Sequence, residues 1–265
     1  MAHPPHTHTH RPAQNGLLNH LYAGLHNTQL WADYMPRLPR GFYGLALAGV
    51  ASWLGAFALR QNIWLAGALI VLGLGLLAPV AWAVLFIQRR QRLRLSYRQH
   101  VLDSIQWRGD ERVLDVGCGS GILLNGAAQR LTTGTALGID IWAANSGGGD
   151  YALLMKNARA ENVANRIEFQ TMDARRMTLA DAAFDVVLSS GALHHMVRSQ
   201  SDFEQVVAEL TRVLKPGGQI AIWDIEHLVD ASAKRLGQLG IPCEVTRGEQ
   251  FLNNQMSFLV GRKVM

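Results

Sequence analysis

The first hundred residues contain no lysine and a single acid, Asp33. Nine arginines set their net charge at +8, while residues 101–265 hold sixteen Lys or Arg against nineteen Asp or Glu, a balance of −3. The basic surplus therefore belongs to the N-terminal third, and a nucleic-acid-binding domain would carry it on the folded unit instead. No nucleic-acid partner is expected. Cysteine is scarce too. Cys118 and Cys243 stand alone, without a disulfide framework or the paired spacing of a thiolate metal site, and read as reduced thiols.

Charge is missing altogether from two stretches, residues 42–59 and 63–87, which are separated by Arg60, Gln61 and Asn62. At about 1.5 Å per helical residue they reach about 27 and 37 Å, against a hydrocarbon core of about 30 Å. The runs predict two transmembrane helices joined by a tight turn. A hairpin that enters and leaves on one face is the competing arrangement; a cleaved signal peptide over 42–59 fits poorly with the 41 residues ahead of it and the longer second run. Gly44, Ala48, Ala51 and Gly55 form a stripe of small residues where a neighbouring backbone can approach, Gly67, Gly75 and Ala78 offer small residues in the second run, and Pro79 predicts a kink.

Arginine sets the orientation. Arg37 and Arg40 precede the first run, Arg89, Arg90, Arg92, Arg94 and Arg98 follow the second, and the turn holds only Arg60. The positive-inside rule then puts both termini and everything after residue 88 in the cytoplasm of a bacterial-type inner membrane. The cluster Arg89–Arg98 suits anionic lipid headgroups. Ahead of the hairpin, His3, His6, His8 and His10 lie among prolines without an acid or cysteine, so no metal site is expected. Leu17, Leu18, Leu21, Tyr22 and Leu25 share one face of a short interfacial helix. The chain thus divides into a tail (1–40), a hairpin (41–88) and a globular unit (89–265).

In that unit, apolar runs at 112–116, 135–140, 167–173, 184–190 and 219–225 alternate with helical stretches at 121–130, 149–162, 201–214 and beyond 225. A helix over 97–107 precedes them, and 241–248 and 256–263 read as a closing antiparallel edge pair. Alternation of this kind predicts an α/β fold, a doubly wound, mostly parallel seven-stranded Rossmann-like sheet. Ligands of such sheets bind at the carboxyl ends of the strands, beside the first βα turn. That turn is "VLDVGCGSG", with Gly117, Gly119 and Gly121 in alternation. It departs from the G-x-G-x-x-G dinucleotide fingerprint, because residue 122 is Ile, and from the P-loop, because it has no lysine. Acids stand in its place: Asp115 beside the loop, Asp140 ending the second strand and Asp173 ending the third. A carboxylate for a cationic amine, one for a ribose diol and one for an exocyclic adenine amine together describe S-adenosylmethionine. Helix caps or turn residues are the alternative roles for Asp140 and Asp173.

With "GIDIW", "MDAR", "FDVVLSSGALHHM" and "RVLKPGGQIAIWDI", the chain over about 96–262 resembles the class I S-adenosylmethionine-dependent methyltransferases of the small-molecule branch. The resemblance implies cofactor contacts at Asp115, Gly117, Cys118, Gly119, Gly121, Asp140, Ile141, Asp173, Ala174 and Ser189–Ser190, with Ile141 and Trp142 packing on adenine. Candidate bases are His194 and His195 after the fourth strand, or Asp224, Glu226 and His227 after the fifth. Residues 143–150 form a longer loop than the family pattern, and no substrate-domain insertion follows the fifth strand. The expectation is a membrane-anchored enzyme methylating a small lipophilic acceptor; a non-catalytic S-adenosylmethionine-binding sensor or scaffold is the alternative.

Overall fold

The computed structural model describes residues 39–142, 151–251 and 254–265. The histidine tail, the helix expected over 17–31 and the loop 143–150 lie outside the described residues.

Two helices open the described chain, α1 (Arg40–Ala58) and α2 (Ile63–Asp103). Asn62 caps α2, its side chain accepting from the Leu65 amide at 3.3 Å. The segments Arg40–Ala58 and Ile63–Arg89 are long and apolar enough to cross a membrane by length and composition, and only 11% of each apolar window is buried. Their mutual contact runs over small residues. Trp53 lies over Gly73, where any Cβ would come within 2.2 Å of the indole, and Gly49 packs on Leu77. The small-residue stripe predicted from the sequence is therefore not the seam: Gly55 faces Leu69, but Gly44 meets nothing within 4 Å, and neither do Gly67 and Gly75.

α2 also departs from expectation in length. The boundary predicted at residues 88–89 falls inside it, for the helix runs 41 residues, with Pro79 inside it, and its end includes most of the helix read separately over 97–107. Between residue 80 and its end it contains neither Gly nor Pro, so nothing in the backbone breaks the helix where the apolar run gives way to arginines.

Seven strands form the sheet: β1 (Arg112–Val116), β2 (Thr135–Asp140), β3 (Ile167–Thr171), β4 (Phe184–Ser190), β5 (Leu214–Ile225), β6 (Cys243–Phe251) and β7 (Asn254–Arg262), in the order β3-β2-β1-β4-β5-β7-β6. β1 to β5 pair in parallel, while β7 runs antiparallel between β5 and β6. The sheet ends at β3 on one side and at β6 on the other. β5 begins five residues before the stretch expected, taking in "LKPGG" across a register shift against β4.

Connecting helices are α3 (Ile122–Ala128), α4 (Tyr151–Ala160), the short α5 (Leu193–Met196), α6 (Gln200–Val213) and α7 (Glu226–Gln238). α6 shows why: Phe203, Val206, Val207, Leu210 and Val213 are buried at helical spacing, and Ser199 caps its N-terminus by accepting from the Asp202 amide. Side chains alternate across the strands, so Val113 joins one core layer with α2, α3 and α4 while Leu114 joins the other with α6 and α7.

The path of α2 through this unit is fixed at both ends. Tyr97 stacks on Trp223 near the carboxyl end of β5, ring centroids 5.1 Å apart. Just past the helix, the Gln106 amide donates to Gln219, which pairs with Val186 of β4, and Arg108 reaches Asp185 at the amino end of that strand. α2 thus enters at the carboxyl edge of the sheet and leaves at the amino edge, antiparallel to β1.

Candidate active site

A cleft of about 700 Å³ opens along the carboxyl edge. Its floor is the turn from β1 into α3. Gly117 there has φ 75°, and a Cβ on it would strike Ala192 at 2.3 Å; only glycine lets β1 turn this close to the β4–α5 loop. The Gly117 and Cys118 amides both donate to the Ile139 carbonyl, which ties the loop to β2.

Asp115 is buried in the cleft floor, and neither carboxylate oxygen has a hydrogen-bond partner. Burial pushes its pKa up to about 7, with the Leu124 amide near enough to oppose the shift without closing a bond, and the charge on Asp140 adding to it. An unpaired carboxylate in a low-dielectric site is costly. A cation brought to that floor removes the cost, so the site fits the positively charged end of S-adenosylmethionine.

Asp140 is held differently. Its oxygens accept from the amides of Gly119 at 2.9 Å and Trp142 at 2.7 Å. The second bond keeps Trp142 at φ 41°, a left-handed conformation that a bulky residue adopts only under constraint. Two fixed bonds leave lone pairs directed by the loop, as a diol-binding carboxylate requires. Asp173 also lines the cleft, yet Arg175 grips its carboxylate through Nε and Nη2 (3.0 and 2.7 Å) and reaches Asp202 as well, which holds the Asp173 carboxyl below the usual carboxylate range. The sequence pattern does not reveal that pairing.

Gly119, Cys118, Ile141, Ala174 and Ser190 line the same cleft. Gly121 does not: it is the left-handed cap of α3, donating to the Cys118 carbonyl and accepting from the Asn125 amide. Ser189 is buried with its hydroxyl on the Val116 carbonyl. Trp142 turns its ring edge toward Phe169, so of the two residues expected against adenine Ile141 alone lines the cleft, 55% exposed. Burial raises the Cys118 thiol far above its ordinary value, which makes it a wall rather than a nucleophile.

Both histidines reach the cleft, in contact at 4.0 Å between ring centroids. Asp224, by contrast, is wholly buried and is no base facing the cleft. It accepts from the Leu193 amide (2.9 Å), the Ile225 amide (2.8 Å) and His194 Nδ1 (2.8 Å). A carboxylate already accepting from two amides fixes the proton on Nδ1 and leaves Nε2 of His194 as an acceptor. The Asp224 bond raises the His194 pKa, whereas burial and the neighbouring His194 lower that of His195. Glu226 pairs with Arg247, and His227 stands outside the cleft lining.

Among the lining residues whose role the sequence pattern does not single out are Tyr97, Arg98, Trp223 and Met256. Trp223, near the end of β5, is within reach of the strand-end rule. Arg98 is expected among the headgroup-facing arginines, but it is buried against Glu161 in a two-point ion pair (2.6 and 3.2 Å), with Gln129 bonded to both partners. Its guanidinium is unavailable to lipid.

Residues 114–222 match the family described as "Methyltransferase domain". The 27-O-demethylrifamycin SV methyltransferase of Amycolatopsis mediterranei is 31% identical over 140 residues, 50% of this chain and 47% of the relative. The fatty-acid O-methyltransferase of Mycolicibacterium smegmatis is 32% identical over 148 residues, 52% of this chain and 49% of the relative. The family match lies wholly inside the globular unit, over β1 to β5. The match to each relative spans about half its length. The solved structure of the [4+2]-cyclase SpnF, 17% identical with a TM-score of 0.53 over 64% of this chain and 82% of that one, shares the fold. A methyltransferase fold therefore does not by itself name the reaction, and the site has to.

Proposed function

We propose that the protein is a membrane-anchored methyltransferase, with its domain on the cytoplasmic side, acting on a hydroxyl group of a small lipophilic acceptor. The observation that carries this reading is the His194–Asp224 pair opening into the same cleft as Asp115 and Asp140. A carboxylate acceptor is already ionised at neutral pH and needs no base; a hydroxyl must lose a proton, and a buried Asp holding a His is the arrangement that takes one. The apolar hairpin supports the lipophilic half of the reading, and the rifamycin and fatty-acid methyltransferases act on such molecules by their names.

In this reading Asp115 balances the cationic end of the cofactor, the Gly117–Gly119 backbone lies beneath it, and Asp140 accepts from the ribose hydroxyls. When bound, S-adenosylmethionine supplies an activated methyl group, its S–C bond breaking to a neutral thioether as an acceptor lone pair forms the new bond. His194 receives the hydroxyl proton at Nε2, Asp224 keeps the ring aligned, and the low pKa of His195 keeps a second positive charge away. Fixing the reactants in line contributes roughly 7–11 kcal/mol toward the barrier.

The test incubates the full-length protein with methyl-labelled S-adenosylmethionine and membranes of its host. Label is expected in the organic extract and to survive mild alkali, as an ether does. Alkali-labile label would return a carboxylate acceptor, and label in water or on protein would end the lipophilic reading. Asp224→Asn is expected to lower kcat about 10²-fold or more. Because the base must be neutral, the wild-type rate rises with pH through the raised His194 pKa, and the variant moves that limb to lower pH.

A further inference from the structure

The direction of α2 bears on where the acceptor comes from. One helix holds both the apolar segment Ile63–Arg89 and a wall of the cleft, Tyr97, Arg98 and Val101. It passes the carboxyl edge of the sheet first and the amino edge last, as the Tyr97–Trp223 stack and the Gln106–Gln219 and Arg108–Asp185 bonds fix. The edge that bears the cleft is therefore the edge turned toward the apolar segment. Its opposite edge, where Gln106, Arg108, Asp185 and Lys215 cluster, is turned away.

The joint is rigid. Arg98 and Glu161, both buried, pair at two points, Gln129 closes the triangle, and Arg130 reaches Asp103 from beyond α3. Tyr97 lies ten positions beyond Ile87, the last apolar residue of the run, about 15 Å of helix. The headgroup layer takes up about 5–8 Å of that. Val101, Trp223, Ile225 and Met256 add apolar side chains to the lining that Tyr97 shares with His194.

We infer that the cleft opens onto the bilayer surface, and that its acceptor is a bilayer-resident amphiphile whose hydroxyl stands at its polar end, lifted headgroup-first along the Tyr97–Met256 wall while its tail stays in the lipid. This rests on the proposed membrane anchoring, and commits it further: a soluble metabolite would approach such a cleft from its occluded side. The methyl-accepting oxygen lies at the head of the molecule, not along its chain.

The orientation is measurable without turnover. Full-length protein carrying Cys243→Ser receives a donor fluorophore at Ser201→Cys, exposed at the start of α6 on the carboxyl edge, or at Asp110→Cys, exposed before β1 on the amino edge. Each is placed in nanodiscs of phosphatidylethanolamine and phosphatidylglycerol containing a headgroup-labelled acceptor lipid. Energy transfer is expected to be greater from position 201, by an amount corresponding to about one strand length, roughly 17 Å for five residues. Equal transfer, or more from 110, overturns the inference while leaving the anchoring and the chemistry of the organic-extract test intact. No transfer from either position, with the protein recovered free of lipid, overturns the anchoring and this inference together. Label incorporation into the extract that is unchanged when enzyme and lipid are held in separate vesicles also overturns it, since the acceptor then travels through water.

Discussion

The hairpin and the domain bury their apolar residues in opposite ways. Along α1 and α2 up to residue 89, Leu47, Leu54, Phe57, Val71 and Trp82 stand half or more exposed, except where Trp53 meets Gly73. In the domain, Phe184, Leu114, Ile139 and Leu210 are fully enclosed, in two layers either side of the sheet. The domain has a core of its own. The hairpin has only a seam, and its outward apolar surface far exceeds what a water-facing protein leaves uncovered. In the proposed membrane-anchored reading its stability would come from an apolar surrounding, whereas the domain's comes from itself.

The sharpest way to break that comparison is at the joint. Glu161→Gln leaves Arg98 buried without its counter-charge, and removal of one partner of such a pair costs about 3–5 kcal/mol. The expected outcome is a domain that unfolds at clearly lower denaturant by Trp fluorescence. Arg98→Met with Glu161→Leu should recover most of the loss, because neither charge then remains unpaired.

Next in size is the floor of the cleft. Asp115→Asn removes the carboxylate that a cationic cofactor would neutralise, and loss of a charged interaction of about 1.5–3 kcal/mol weakens S-adenosylmethionine binding about 10- to 100-fold in calorimetry. The pH dependence has a definite sign. The cofactor-free carboxyl titrates at about 7, above its unfolded value near 4, so the folded state holds the extra proton between those pH values. Stability contributed by that proton is present at low pH and is lost as pH rises toward 7. Cofactor binding, which favours the ionised form, should release a proton below about pH 7 and tighten as pH rises to that point. Asp115→Asn should abolish both effects while the fold persists.

The smallest effect tests the hairpin alone. Gly73→Val drives a side chain into Trp53, whereas Gly44→Val meets open space. The first is expected to cost about 1–3 kcal/mol of helix association in detergent, as overpacking does, read as a shift in Trp emission, and the second nothing measurable. Equal effects would mean that the seam lies elsewhere.

Legibility in the residues divides along the same line. The parallel strands are readable within a few residues because each is a buried apolar run bounded by turns, and the glycine loop with its acids marks the carboxyl edge. Gly121 is indistinguishable from its neighbours because alternating glycines look alike in a string; only geometry separates the one beneath the ligand from the one that caps α3. The Arg98–Glu161 and Arg175–Asp173 pairs differ in kind. Arg98 looks like one more membrane-flanking arginine because its partner lies 63 residues on, and no local pattern announces such a contact. Asp173 stands two residues from Arg175, but a carboxylate beside an arginine in sequence reads the same whether or not they bond. The small-residue stripe misleads for a related reason: nothing sets Gly49 apart from Gly44 and Ala48 until the partner helix supplies Leu77 against it.

The place of β7 between β5 and β6 bears on how the protein is made. The hairpin, complete by residue 89, can settle in its surroundings while most of the chain is still being synthesised. The sheet cannot close until residues 254–262 have left the ribosome, since until then β5 and β6 have no strand between them. One half of the molecule is thus complete well before the other can close its sheet, and the unfinished strands must wait, exposed, at the end of the long helix that precedes them.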